Sequence, residues 1–143
     1  MSNDQRSGYR YFSNITTRWM DNDVYGHVNN VVYYSYFDSV ANKYLIEEGE
    51  LDIHAGTSIG FVVASNCQYL SPIAYPDEIE AGLRVNRLGN SSVEYGIGIF
   101  KKGMLQPSAI GTFTHVFVDR STDKSTPIPS KIRVSLEAIL VNM

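Results

Sequence analysis

The sequence lacks the features that point to secretion, membrane insertion or nucleic-acid binding. A single cysteine, Cys67, excludes an intrachain disulfide and fits a reducing compartment. No apolar run reaches the roughly 20 residues that a bilayer-spanning helix needs, and the polar residues 1–8 contain no signal-peptide core. With 12 Lys and Arg against 15 Asp and Glu, the basic residues are scattered and form no stripe. We therefore expect a cytoplasmic protein that binds neither membranes nor nucleic acid.

The composition and the residue patterns that are present predict one α+β domain. A chain of 143 residues with 43% hydrophobic and 19% charged residues can bury a core, so residues 1–143 form one domain in which residues 1–8 fray. Alternation of apolar and polar residues predicts strands at about 9–18, 59–70, 79–85, 93–99 and 107–119. Helices are expected at 31–48 and 130–141. Consecutive strands joined by short turns imply an antiparallel sheet, with the long helix on one face.

The long helix has a recognisable start and end. Asn29 and Asn30 precede it, and Asn is a favoured N-cap, whereas Gly49 follows it. Apolar residues occur nearly all round the helix, which predicts that it lies deep and is covered by other parts of the chain. Asp38 on this helix therefore needs a hydrogen-bond partner or must face a cavity.

The loop before the helix carries the residues best suited to chemistry, namely Asp21, Asp23, Gly26 and His27. A calcium-binding EF-hand loop is excluded, because Tyr25 and Val32 stand where oxygen ligands are required. A transition-metal site would lack a second histidine cluster, so no metal is expected. One alternative stays open: these residue types also make an ordinary turn between a strand and a helix.

The position of this loop favours a catalytic role. A carboxylate just ahead of a helix lies near the positive end of the helix and its unpaired N–H groups, which stabilise the ionised form. The same N–H groups can polarise a carbonyl oxygen, as in an oxyanion hole. Glycine at position 26 allows a ligand to approach the backbone closely.

The loop and the helix start also carry a family resemblance. The run Arg18-Trp-x-Asp21-x-Asp23-x-x-Gly26-His27-Val28-Asn29-Asn30, followed by Tyr33-x-x-Tyr36-Phe37, resembles the 4-hydroxybenzoyl-CoA thioesterase family of hotdog-fold proteins. It is most similar to the acyl-CoA thioesterase branch with Gly-His-Val-Asn-Asn. Weaker matches follow in the expected order: Tyr69-Leu-x-Pro72, Tyr75-x-Asp77-x-Ile79, Arg87-Leu-Gly89-x-Ser91-Ser92 and Val116-Phe-Val-Asp119.

The resemblance implies a hotdog fold, in which a curved antiparallel sheet wraps one long central helix, and homodimers or homotetramers with shared active sites. It implies that Asp23 is the catalytic carboxylate, acting as a nucleophile or as a general base. Backbone N–H groups at Asn30 and Val31 would polarise the thioester carbonyl. No cofactor is implied.

The resemblance also implies roles for neighbouring side chains. His27 is expected to be a second catalytic residue, with a turn-ordering histidine as the alternative. Tyr25, Asn29, Asn30 and Val31 are expected to contact the substrate, and the two Asn residues could instead serve only as helix caps. Of the other histidines, we expect His54 to be solvated and His115 to be packed or at an interface.

The expected function is hydrolysis of an acyl-CoA to a free acid and CoA, within fatty acid metabolism. Dispersed cations could meet the CoA phosphates: Arg87, Lys101, Lys102, Arg120 and Lys124. Two alternatives stay open, a thioesterase acting on acyl carrier protein and a non-catalytic acyl-CoA sensor. Hydratases of the same fold carry different motifs and are disfavoured.

Overall fold

The computed structural model describes residues 4–141, so residues 1–3 of the segment expected to fray lie outside the described residues. The described part of that segment is packed rather than frayed. Arg6–Gly8 forms a short 3-10 helix. The Arg6 backbone N–H donates to the Leu105 carbonyl at 3.1 Å, and its guanidinium pairs with Glu80. These contacts join the N-terminal segment to the sheet.

Five antiparallel strands and two α-helices make up the described chain. The strands are β1 (Tyr11–Thr16), β2 (Ser58–Tyr69), β3 (Glu78–Leu88), β4 (Ser92–Lys101) and β5 (Ala109–Asp119), and the helices are α1 (Asn30–Glu47) and α2 (Ser130–Glu137). The strand order is β1-β3-β4-β5-β2. Because α1 connects β1 and β2 at opposite edges of the sheet, it must cross the sheet. The α+β prediction is confirmed, and neither helix is long and apolar enough to cross a membrane.

Helix α1 begins and ends where the sequence predicts. The Asn29 side chain accepts a hydrogen bond from the Val31 N–H, and the last turn closes with Glu48 N–H on the Tyr44 carbonyl. The buried side chains of α1 all belong to one stripe: Tyr33, Tyr36, Phe37, Val40, Ala41, Tyr44 and Leu45. Gly111 of β5 lets this stripe approach the sheet, since a Cβ there would lie 2.6 Å from the Phe37 ring.

One face of α1 is solvent-exposed in this chain, which corrects the expectation of a helix buried nearly all round. Val31 and Ile46 are exposed. Asp38 is exposed too, and the Asn42 amide donates to its carboxylate at 3.0 Å. Because Asp38 points away from the sheet, it does not need the buried partner that the sequence suggested.

Helix α2 ends at Glu137, four residues earlier than predicted, because the chain beyond it pairs with β3. The Val85 N–H donates to the Ile139 carbonyl at 2.9 Å, and the Val141 N–H donates to the Val85 carbonyl at 3.0 Å. Strand β1 stops pairing at Leu83, so this segment extends the edge that β1 leaves open. Pairing with a strand replaces the helical hydrogen bonds that the sequence pattern predicted.

His115 lies in the core, with 1% of its surface exposed. Its Nδ1 is 3.3 Å from the Tyr95 hydroxyl, and Phe113 and Phe117 contact its ring. Burial lowers the pKa of His115 to about 4. It is therefore a packed, neutral histidine, one of the two roles predicted, whereas His54 is exposed as expected.

Candidate active site

The loop between Asp21 and α1 is a tight, hydrogen-bonded hairpin. Asn22 and Val28 form a β-bridge. Inside it, the Asp23 N–H donates to the His27 carbonyl at 2.9 Å, and the Gly26 N–H donates to the Asp23 carbonyl at 3.1 Å. Gly26 has a φ of 85°, a left-handed conformation that favours glycine. The backbone therefore fixes where Asp23 and His27 lie.

This hairpin is attached to the connection between β2 and β3. The Val28 N–H donates to the Ile73 carbonyl at 2.6 Å, and the Tyr75 N–H donates to the Asn22 side chain at 3.0 Å. The Trp19 and Tyr75 rings pack edge to face. The loop is thus held on both flanks by a segment far away in sequence.

Asp21 is an internal anchor of the loop. Its carboxylate accepts from the Arg18 N–H at 2.9 Å, from the Arg18 guanidinium at 2.9 Å and from the Tyr36 hydroxyl at 2.8 Å. Burial by itself would raise the pKa of Asp21, but these hydrogen bonds outweigh burial and the pKa is lowered. Asp21 therefore joins the segment after β1, the loop and α1 as a bound carboxylate.

Asp23 has far fewer contacts. It is half-buried, and its Oδ1 accepts from the Tyr25 N–H at 2.9 Å. Among residues 4–141 no other group donates to its carboxylate. One carboxylate oxygen is thus available to a ligand.

Asp23 opens onto a recess of about 510 Å³, which we call the Asp23 recess. It is lined by the loop, the start of α1 and the end of β2: Asp23, Tyr25, His27, Val28, Asn30, Tyr33, Tyr69, Leu70, Ser71 and Pro72. Most of these side chains are apolar or aromatic, and Lys and Arg are missing from this lining. Such a recess suits an uncharged group better than a phosphate.

The structure brings four of the six expected site residues to the recess, namely Asp23, Tyr25, His27 and Asn30. Asn29 and Val31 do not line it. The Asn29 side chain accepts the Val31 N–H at 3.2 Å, so both groups serve as the helix cap. The Asn30 N–H, by contrast, has no acceptor within the described residues.

His27 orders the loop through its backbone and not through its ring. Its carbonyl accepts from the Asp23 N–H, whereas the exposed imidazole is hydrogen-bonded to none of residues 4–141. The ring is therefore open to a ligand in the recess.

Two tyrosines line the recess although the sequence did not single them out for the site. The rings of Tyr33 and Tyr69 pack edge to face with centroids 5.0 Å apart. The Tyr69 hydroxyl donates to the Asn30 carbonyl at 3.0 Å. Both tyrosines belong to motifs visible in the sequence, but their spacing along the chain gives no sign that they meet.

The cations expected near CoA lie outside this lining. The Arg120 guanidinium bonds to the carbonyls of Ile53 and His54, and Lys102 is 3.5 Å from Glu78. In the described part of the chain, no three His, Cys, Asp or Glu side chains are grouped to hold a metal ion.

The geometry agrees with a sequence comparison. Residues 17–136 match the model of the thioesterase-like superfamily. The chain belongs to this superfamily. With its five-stranded antiparallel sheet and central α1, it has the hotdog fold of these thioesterases.

Solved structures support the same assignment. The PA5185 protein of Pseudomonas aeruginosa is 51% identical, with a TM-score of 0.94 over 95% of each chain. The PA2801 protein of that organism, described as a candidate thioesterase, is 28% identical, with a TM-score of 0.81 over 87% of this chain and 96% of its own. Slr0204 of Synechocystis, a 1,4-dihydroxy-2-naphthoyl-CoA thioesterase, shares the fold at 15% identity, with a TM-score of 0.79 over 88% of this chain and 94% of its own. Together with superfamily membership, these relatives support a thioester hydrolase.

Proposed function

We propose that this protein hydrolyses an acyl-CoA thioester to a carboxylic acid and CoA, as a member of the 4-hydroxybenzoyl-CoA thioesterase branch. One observation carries the proposal. Asp23 and Asn30 line one recess, and within residues 4–141 one Asp23 carboxylate oxygen has no donor and the Asn30 backbone N–H has no acceptor. A base or nucleophile beside an oxyanion donor is the minimum that acyl transfer requires.

The Asn30 N–H is the proposed donor to the thioester carbonyl. It lies in the first turn of α1, where the helix dipole favours negative charge. The Val31 N–H is already taken by Asn29, so the donor expected at either residue is assigned to Asn30. Negative charge that develops on the carbonyl oxygen would be stabilised there.

Asp23 can act in two ways. If the carboxylate attacks the carbonyl carbon, the C–S bond breaks, CoA leaves as a thiolate, and water hydrolyses the resulting anhydride. If Asp23 instead takes a proton from water, hydroxide adds to the carbonyl and the thiolate leaves in one addition–elimination sequence. Both routes yield the same acid and thiol, and His27 is the proposed group that moves a proton.

The lining of the Asp23 recess suits the acyl group. Tyr25, Tyr33 and Leu70 offer apolar surface, and no cation lies there to pair with the CoA phosphates. Slr0204 acts on an aromatic acyl-CoA, which supports a CoA thioester as the substrate class. The nucleotide end of CoA would lie outside the recess.

A second copy of this chain is the proposed cover for the open side of the site. Edge strand β2 contains no charged residue and no proline, the usual protections of an exposed edge. Phe61 and Val63 are 59% and 53% exposed. Because Tyr69 lies on β2 and also lines the recess, a partner chain paired with β2 would form one side of the site.

The test of the function is a thiol-release assay on short, medium, long and aromatic acyl-CoAs, with wild type and Asp23→Asn. We expect wild type to release CoA from at least one substrate and the variant to lose at least about a hundredfold in kcat/KM. A folded Asp23→Asn variant with full activity would refute the catalytic assignment. If wild type binds acyl-CoA without cleaving it, the protein is instead an acyl-CoA sensor. If it cleaves only thioesters of acyl carrier protein, the substrate is carried by that protein and not by CoA.

The test of the dimer is Val63→Lys, which puts a charge on the open edge, compared with Thr16→Lys on β1. We expect light scattering to give a dimer or tetramer for wild type and Thr16→Lys, and monomer for Val63→Lys. Wild type that is monomeric at micromolar concentration would contradict the proposal.

A further inference from the structure

We infer that Tyr69 is a positioning residue: by binding the Asn30 carbonyl, its hydroxyl restrains the Asn30 backbone and so directs the Asn30 N–H towards the recess. The inference rests on the proposed function, because it assigns a purpose to that N–H. Tyr69 is the last residue of β2, and its hydroxyl is 3.0 Å from the Asn30 carbonyl oxygen. A side chain of the edge strand thus bonds directly to the helix start.

The hydrogen bonds around Asn30 restrain the peptide units on both sides of it. On one side, the peptide between Asn30 and Val31 is held at its carbonyl by Tyr69 and at its N–H by the Asn29 side chain. On the other side, the peptide between Asn29 and Asn30, which carries the Asn30 N–H, is held at its carbonyl, which accepts from the Val32 N–H at 2.9 Å. Because a peptide group is planar, holding both of its ends fixes its orientation. The two peptides meet at the Asn30 Cα, so the Tyr69 bond, by fixing the second peptide, limits how far the first peptide and its Asn30 N–H can turn.

Tyr69 is itself held in place by Tyr33. The two rings pack edge to face, and Tyr33 is almost fully buried against the core. An edge-to-face aromatic pair is favourable beyond the area it buries. The Tyr69 hydroxyl therefore has a defined position although 43% of the residue is exposed.

A role in substrate binding makes a different prediction. Tyr69 lines the recess, so its ring could simply contact the acyl group. Loss of a ground-state contact raises KM, whereas a displaced oxyanion donor lowers kcat. Removing the hydroxyl while keeping the ring separates the two roles.

The experiment compares Tyr69→Phe with Tyr75→Phe as the matched control. Tyr75 is 41% exposed and, within residues 4–141, its hydroxyl has no hydrogen-bond partner. We expect Tyr69→Phe to lower kcat roughly threefold to tenfold, the worth of one neutral hydrogen bond, with KM within twofold of wild type. The control should match wild type. A raised KM with unchanged kcat would overturn the inference in favour of substrate contact.

A second measurement does not depend on activity. Amide hydrogen exchange of Val31 and Val32 reports the first turn of α1, and Tyr69→Phe should speed it by at least about threefold while the centre of the helix keeps its protection. Unchanged exchange at both amides would overturn the inference. If wild type cleaves no thioester, the proposed function fails, and this exchange measurement still decides whether Tyr69 holds the helix start.

Discussion

Asp21 and Asp23, two positions apart in one loop, have opposite environments. Asp21 is 1% exposed and accepts hydrogen bonds from Arg18 and Tyr36. Asp23 is half-buried, and among residues 4–141 only the Tyr25 N–H donates to its carboxylate. The first carboxylate belongs to the scaffold, whereas the second is available to a ligand.

The difference arises from the backbone around each residue. Trp19–Asp21 is a single 3-10 turn that directs the Asp21 carboxylate towards Tyr36 on α1. Asp23 lies at the start of the hairpin, where its N–H bonds to the His27 carbonyl, and it lines the Asp23 recess. The Asp21 carboxylate thus fixes the loop, and that loop presents the Asp23 carboxylate with one oxygen open to a ligand. We expect substitution of the two aspartates to separate stability from activity.

The largest effect should be on turnover by Asp23→Asn. Beyond the hundredfold loss of kcat/KM, we expect the free energy of unfolding to stay within about 0.5 kcal/mol of wild type, since the Asn amide oxygen can also accept the Tyr25 N–H. Urea denaturation measures this. If Asp23→Asn loses as much stability as Asp21→Asn, the prediction that the two aspartates separate stability from activity is wrong.

The next largest effect is on stability, in Asp21→Asn. The amide is isosteric but carries no charge for Arg18 and Tyr36, so we expect the free energy of unfolding to fall by about 2–3 kcal/mol. Arg18 is largely exposed, which reduces the share of the ion pair. Urea denaturation provides the value, and kcat per folded molecule should fall much less than in Asp23→Asn. Wild-type stability would show that Asp21 is no anchor.

A smaller effect is expected for Tyr36→Phe, which removes one of the donors to Asp21. We expect a loss of about 1–2 kcal/mol in the same denaturation experiment. In a double-mutant cycle with Asp21→Asn, the two losses should not add, because the residues share one bond. If the two losses of unfolding free energy add, Tyr36 stabilises the fold through contacts other than its bond to Asp21.

The smallest effect is on the pH dependence. The pKa of Asp21 is lowered in the folded protein, so its carboxylate stabilises the fold above its unfolded pKa of about 3.8. That contribution is lost as the pH falls through the lowered folded value. The stability difference between wild type and Asp21→Asn should therefore narrow as the pH falls below about 4. A constant difference would contradict the assignment.

Much of the fold was predictable because its signals are local. Asn29 caps α1 as predicted, and the alternation of residues in β4 and β5 gave strands close to those observed. Helix α2 ended early because Val85 competes for its last residues, a contact that local propensity does not contain. The order of strands likewise follows from packing, since β2 pairs with β5 and not with its neighbour in sequence, β3.

The site was predictable in part. The loop with Asp23 and His27, and the helix start at Asn30, were visible as a motif. Tyr33 and Tyr69 were also visible, but nothing in their spacing indicates that their rings meet or that Tyr69 reaches the Asn30 carbonyl. Side-chain direction depends on how β2 and α1 are arranged in space.

The sequence by itself determined the elements, the capped start of α1, the hairpin loop and membership of the thioesterase-like superfamily, since these depend on neighbouring residues and motifs. Only the tertiary structure decided which aspartate is held by several hydrogen bonds and which keeps a carboxylate oxygen open to a ligand. The Asp21 carboxylate accepts a hydrogen bond from Tyr36 on α1. The Asn30 carbonyl accepts one from Tyr69 on β2, at the opposite edge of the sheet from β1. Two aspartates in one loop become chemically different because distant parts of the chain reach only one of them.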